Sequence, residues 1–400
     1  MKALQSRLAC LTVAVVILAV LASVLTCTAS AQTKNLLYVN SNIAITGQNS
    51  VIALVNDGNG NLSPVAGSPF ATGGTGVAGM GTLGNDLPWD ADGQIMLNQN
   101  ATLLFAVNGH SNDISAFTIN TDGSLTAVAG SPFPSGGPQP ATIGFQDGAL
   151  GNGVSMMMVG NKDSDFFQPA TAPNFTTFSV SSSGVLTLLQ TLTLPAGSSP
   201  AHALVKQGAK QYLFGILFGG AKSINTYKLT RSGSMTLSSS VALAGAPVGG
   251  VLSSVVRGIY VTVPPVAQIS LVAYDLSGNL SLFKSVADPG QAVCWLTINK
   301  AATRMYSGET VSGTVSVWDI SNPPRTPTVL QTLTMSGTNP LPTMVQLDPT
   351  EKFLYVLDRH GSVHVLDVAT DGTLTEPRPV YNLGLPDSTV PPLGLAVALK

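Results

Sequence analysis

Charge is what this 400-residue chain has least of, with Lys, Arg, Asp and Glu making up only 10% of it. Ordinary domains carry about 25%. The net charge is −2 and no basic run occurs, so the phosphate-neutralising stripe of a nucleic-acid binder is missing. Cysteine is nearly absent too. Cys10 and Cys27 fall within the first 31 residues and Cys294 stands alone after them, which excludes an internal disulfide and a thiolate metal cluster. No long amphipathic helical pattern follows residue 31. Neither a Gly-x-Ser-x-Gly elbow nor a His-Glu-x-x-His pair occurs, so a nucleophile-elbow hydrolase and a zincin are set aside. No metal and no cofactor is expected.

One long apolar run is present. Lys2 and Arg7 precede an apolar stretch from Leu8 to Leu25, and Ala29-Ser30-Ala31 follows with signal-peptidase spacing. The expectation is a signal peptide over residues 1–31, Gln32 as the first mature residue, and an extracytoplasmic protein, periplasmic or secreted. An uncleaved anchor is the alternative, since eighteen apolar residues from Leu8 to Leu25 just reach across a bilayer. A lipoprotein site at Cys27 fits less well, because Val24-Leu25-Thr26 lacks the small residues such a site wants. No later stretch is apolar enough for a span, so no further membrane association is expected.

What the chain does have is repetition. LLFAV at 103–107 and ISAFTINTDGSLT at 114–126 return as FLYVL at 353–357 and VHVLDVATDGTLT at 363–375. Five looser copies complete the set. The Gly turning one strand into the next recurs at 60, 123, 184, 233, 278 and 372, with Ser321-Asn322-Pro323-Pro324 serving one unit. Successive spacings are 63, 61, 49 and 45, then 94 across two units, at or above the ~40–50 residues of a four-stranded propeller blade. Each full unit adds a leading strand, as at 201–206, 292–299 and 343–348, giving strands a to d from the axis outward. The chain starts on a b-type strand at 35–40 and ends on an orphan a-type strand at 391–399. The fold expected is all-β, a single domain over 32–400. It is a seven-bladed β-propeller of antiparallel four-stranded blades, closed by the C-terminal strand joining the N-terminal blade.

The connections differ by face. The c–d turns and the a–b turns are brief, whereas the d–a segment 67–93 and the b–c segment 160–174 are long. Insertions gathered on one face of a repeat array mark its binding face. That face is expected to carry His110, Lys162, Asp163, Asp165, Glu309, Arg359 and His360 in b–c loops, with His202 opening an inner strand beside the axis. Polar loop residues are also simply what loops contain. His364, mid-strand, reads as structural. Asp86, Asp90 and Asp92 around Trp89 read as solvated loop acids. Two Gly-x-Gly-x-x-Gly matches at 74–79 and 79–84 open no helix, and Asp57-x-Asn59-x-Asn61 lacks the Gly and Glu of a calcium loop. The four Asn-x-Ser/Thr sequons, at Asn61, Asn100, Asn174 and Asn279, are what chance yields in so Asn- and Ser-rich a chain.

The units at 114–133 and 302–320 resemble the seven-bladed lactonase family, which includes bacterial 6-phosphogluconolactonases and shades into YVTN-repeat propellers. The likeness covers nearly all of 35–399 and implies a small-molecule lactone or carbohydrate-like ligand. Enzymatic members carry a His at an inner-strand head in a Gly-Pro-Arg-His context, and a Glu after a Tyr-Val-x-Asn strand. Pro200-Ala201-His202 and Tyr306-Ser307-Gly308-Glu309 are similar to these, with Ala201 in place of Arg and Gly308 in place of Asn. A phosphorylated lactone wants cationic clamps, so a strict phosphosugar activity is not expected. The lactonase expectation takes His202 as general base, Glu309 as its partner and Arg359 or His110 to hold the lactone oxygens, with Trp295, which stands where a His would be in another inner-strand head, and His360 as further substrate-binding candidates. The competing expectation is a non-catalytic exported propeller presenting loops to a glycan or an envelope protein. A monomer is expected in either case.

Overall fold

The computed structural model describes residues 34–78, 91–163, 171–206, 210–323, 325–386 and 391–400. The expected signal peptide lies outside these residues, as do Asp86, Trp89, Asp90 and Asp165. Seven antiparallel sheets form from them, each ordered a-b-c-d, and in three blades the outer strand is split into two short pieces. The only helix among the described residues is a three-residue 3-10 turn, Pro264–Val266. Blade 2 begins at Ile95, blade 3 at Pro140, blade 4 at Pro200, blade 5 at Gly250, blade 6 at Val293 and blade 7 at Pro342. Blade 1 joins the two ends of the chain. Leu393–Leu399 pairs antiparallel with Asn35–Asn40, from Asn35 opposite Leu399 to Asn40 opposite Leu393. This removes an open blade edge.

In four blades the second strand is wholly buried. Asn35–Asn40, Leu103–Asn108, Gly258–Val263 and Phe353–Asp358 are buried at all six positions. Both faces of such a strand pack on neighbouring blades, so the sequence runs apolar instead of alternating. The outer strand Leu186–Thr193 instead is mostly exposed. The repeated Gly residues at the c–d turns share one backbone state, with φ from +79° to +92° at positions 60, 123, 184, 233, 278 and 372. That left-handed state is open to Gly at little cost.

In five of the blades a tyrosine on the second strand stitches the blade to the next one's c–d side. The Tyr38 hydroxyl donates to the Gly123 carbonyl (3.0 Å), Tyr212 to Leu276 (3.0 Å), Tyr260 to Arg325 (2.9 Å) and Tyr306 to Gly372 (3.1 Å). Tyr355 closes the ring by accepting from Asn56 Nδ2 at 2.7 Å.

Two expectations need correction. The blade 3 hairpin Pro140–Gly151 and Val154–Asn161 extends past its neighbours on the a–b side, so length variation is not confined to one face. Glu309 is not a loop residue. It ends the second strand of blade 6, Arg304–Glu309, at 0% exposure.

Candidate active site

A bulge at the head of several inner strands decides what faces the axis. In blade 4, Pro200 pairs with Leu217 but His202 pairs with Ile216, leaving Ala201 as the extra residue. The same slip occurs at Pro140/Thr142, Val293/Trp295 and Pro342/Met344. A bulge re-aims the side chain that follows it. Thr142, His202, Trp295 and Met344 therefore hold equivalent places around the ring.

One short segment ties these positions together. Asp92 N–H donates to the Ala201 carbonyl at 2.8 Å, and Ile143 N–H donates to the Gly93 carbonyl at 2.8 Å. The Ala91 carbonyl accepts from Trp295 Nε1 at 3.1 Å. Blades 2, 4 and 6 are not neighbours in the ring, so residues 91–93 lie across the axial opening. Here Asp92 Oδ2 comes within 3.5 Å of His202 Nδ1. Asp92 Oδ1 accepts from the Gly93 N–H at 2.8 Å. Asp92 is thus no solvated loop acid, since only 13% of its side chain is exposed.

The electrostatics follow from burial. His202 is 7% exposed, and desolvation lowers its pKa against the opposing pull of Asp92. Desolvation raises the Asp92 pKa against the opposing pull of His202. The Gly250 N–H points at His202 Nδ1 at 3.2 Å. Nδ1 therefore accepts there, and the proton of the neutral ring belongs on Nε2. Burial thus favours the uncharged form of each group, and the attraction between them opposes it.

Glu309 belongs to a different arrangement. Its Oε1 accepts from Ser307 Oγ (2.5 Å), and its Oε2 from Thr314 Oγ1 (2.8 Å) and Ser316 Oγ (3.2 Å). Trp318 Nε1 in turn donates to Ser307 Oγ at 2.8 Å. Strand register makes Glu309 the counterpart of Asn108, Asn161 and Asp358, the last residues of their second strands. Asn108 reaches Asp113 and Ser115, and Asn161 reaches Asn174. Glu309 is the same latch made with a carboxyl. Burial, and then the nearby Asp288, push its pKa upward, and burial does the same to Asp288.

The remaining expected site residues lie on blade rims. His110 donates its N–H to the Thr75 carbonyl at 3.1 Å, and Arg359 to Leu341 at 2.9 Å. His360 is exposed; its N–H donates to Asp358 Oδ1 at 2.6 Å, and its Nε2 lies 3.2 Å from the Asn339 carbonyl. The structure thus joins His202 and Trp295 through residues 91–93 and gives His202 a carboxylate, Asp92, that strand counting missed. The signal available was position alone, because Asp92 directly precedes Gly93 at the entry to an inner strand.

Comparison with known proteins gives a likeness over part of the chain. Residues 255–389 match the model described as "Lactonase, 7-bladed beta-propeller". The chain is a seven-bladed propeller of which residues 255–389 are similar to that family. No curated protein matches it. Among solved structures it is similar to a periplasmic gluconolactonase of Pseudomonas aeruginosa, with 13% identity and a TM-score of 0.69 over 92% of this chain and 99% of that one. A putative 6-phosphogluconolactonase of Bacteroides fragilis aligns with 13% identity and a TM-score of 0.68, again over 92% and 99%. A Lactobacillus plantarum protein gives 14% identity and 0.68 over 92% and 100%. Identities this low carry the fold.

Proposed function

We propose that this lactonase-like propeller hydrolyses a lactone at the axial end of the ring, with His202 and Asp92 as the acid–base pair. The observation that carries the reading is the buried His202–Asp92 contact of 3.5 Å, set in the axial opening by residues 91–93. Burial keeps the His202 ring neutral and raises the pKa of the Asp92 carboxyl toward the pH range in which a general base works. Asp92, ionised, takes the proton of the attacking water as its oxygen bonds to the lactone carbonyl carbon; the ring C–O bond then breaks, and Asp92 returns that proton to the departing alkoxide oxygen. The Nε2–H of His202 donates to the lactone oxygen on which negative charge builds. Trp295 supplies an apolar wall for the ring. Glu309 is assigned to the blade latch, and Arg359, His110 and His360 to the rim that a substrate's hydroxyls meet first. Cleavage after Ala31 and an extracytoplasmic, monomeric protein complete the proposal.

The test is base uptake at constant pH by the protein on glucono-1,5-lactone, compared with buffer. Turnover above buffer that disappears in His202→Ala supports the reading. Equal rates for wild type and His202→Ala remove the residue from the mechanism and leave the non-catalytic scaffold as the better account.

A further inference from the structure

Charge in this chain is unevenly placed as well as scarce. From residue 166 to residue 274 there is no Asp or Glu, yet Lys206, Lys210, Lys222, Lys228, Arg231 and Arg257 fall there. All but Lys222 sit at turns on the face opposite the candidate active site. Lys206 and Lys210 flank the a–b turn of blade 4, Lys228 and Arg231 its c–d turn, and Arg257 precedes the second strand of blade 5.

Two clefts open among them. One, of about 450 Å³, is lined by Lys210, Gln211, Tyr212, Lys228, Arg231 and Ser277, among others. The other, of about 590 Å³, includes Lys206, Ser253, Ser254, Arg257 and Tyr274. Tyr212 and Tyr274 both lean on Phe214, with ring centroids at 6.0 and 4.9 Å, so the clefts adjoin. None of the ion pairs among the described residues engages Lys210, Lys228, Arg231 or Arg257. The acid closest in sequence, Asp275, is committed to its own turn through Ser277 N–H, Asn279 N–H and Asn279 Nδ2.

We infer that this face binds an acidic polysaccharide of the uronate type, one carboxylated sugar in each cleft. Volumes of this size suit a sugar ring, and Gln211, Ser253, Ser254 and Ser277 offer the amide and hydroxyl groups that sugar hydroxyls require. Arg231 and Arg257 present planar forks to carboxylates. A single-stranded nucleic acid would need exposed aromatic platforms, but Tyr212 and Tyr274 are only 3% and 8% exposed. A bilayer is met by a continuous apolar face, whereas the exposed Val255, Val256 and Leu276 stand here among Lys206, Lys210, Lys228, Arg231 and Arg257. Adjoining clefts favour a polymer over a single sugar, because one chain engages both cation sets. The inference does not rest on the axial site.

Calorimetric titration of the full chain with a hexamer of galacturonate, against the same hexamer methyl-esterified, tests it. Expected are binding of the acid form that weakens as salt rises and no detectable binding of the ester. Each cation removed is expected to reduce affinity about fivefold, so Lys228→Gln with Arg231→Gln loses about 25-fold. Lys352→Gln, at the a–b turn of blade 7, serves as the unchanged control. Equal binding of acid and ester, or wild-type affinity in the double variant, overturns the inference. It is also overturned if phosphatidylglycerol vesicles or single-stranded DNA bind more tightly than the hexamer and lose that binding in the same variant.

Discussion

Two histidines are buried beside carboxylates in this ring, and they titrate in opposite directions. His364, in the third strand of blade 7, has Glu376 Oε1 at 2.6 Å from Nδ1 and Asp358 Oδ2 at 3.7 Å from Nε2. Burial alone would lower its pKa, but the two acids outweigh burial and lift it to about 8. His202 has one carboxylate at 3.5 Å and a backbone N–H aimed at the same ring nitrogen, and there burial wins. The lesson is one of count and distance. Two carboxylates, one in hydrogen-bond contact, fix a charge and make a structural clamp, while one distant acid leaves a neutral ring whose proton can move. His364 also occupies the strand position of Ser316, which serves Glu309 in blade 6.

The contrast can be broken from either side. The largest effect is expected at the axis, where His202→Ala should lower lactone turnover by about 10²–10⁴-fold, the usual range for a lost acid–base group, with little change in melting temperature. Next comes His364→Ala. It strands Asp358 and Glu376 without their cation, and urea unfolding should show a loss of about 3 kcal/mol with turnover per folded molecule kept. A smaller effect lies in the pH dependence. The folded pKa of His364 is raised, so its stabilisation is complete below about 6.5 and is lost as pH rises through about 8, roughly 2 kcal/mol in all. That alkaline limb should be missing in His364→Gln. His202, with a lowered pKa, acts in the other direction: its contribution is present above about 6.5 and fades as pH falls. The smallest change is expected in Glu309→Gln. Burial already favours the protonated carboxyl, so unfolding should shift by less than about 1 kcal/mol.

Most of the fold was legible in the sequence, because the turn glycines and apolar second strands are local signals that recur from unit to unit, and the single orphan strand ending at Leu399 shows how the ring closes. The site was legible only in part. His202 and Trp295 stand at strand heads that counting can find. Asp92 could not be paired with His202 from spacing, since the contact spans 110 residues and depends on a loop crossing the axis. The place of Glu309 in its blade was misread for a different reason. Tyr306-Ser307-Gly308-Glu309 resembled a strand followed by a catalytic acid, whereas register places Glu309 on the strand-ending position that Asn40, Asn108 and Asn161 fill elsewhere. Aligning strand ends instead of motifs would have shown that.

The most direct test sets the two carboxyls against each other. Base uptake on glucono-1,5-lactone is measured for wild type, Asp92→Asn and Glu309→Gln at the same concentration of folded protein. The account predicts that Asp92→Asn loses at least about 10²-fold, while Glu309→Gln stays within a factor of about two of wild type. A full rate in Asp92→Asn, with turnover lost in Glu309→Gln, would contradict it.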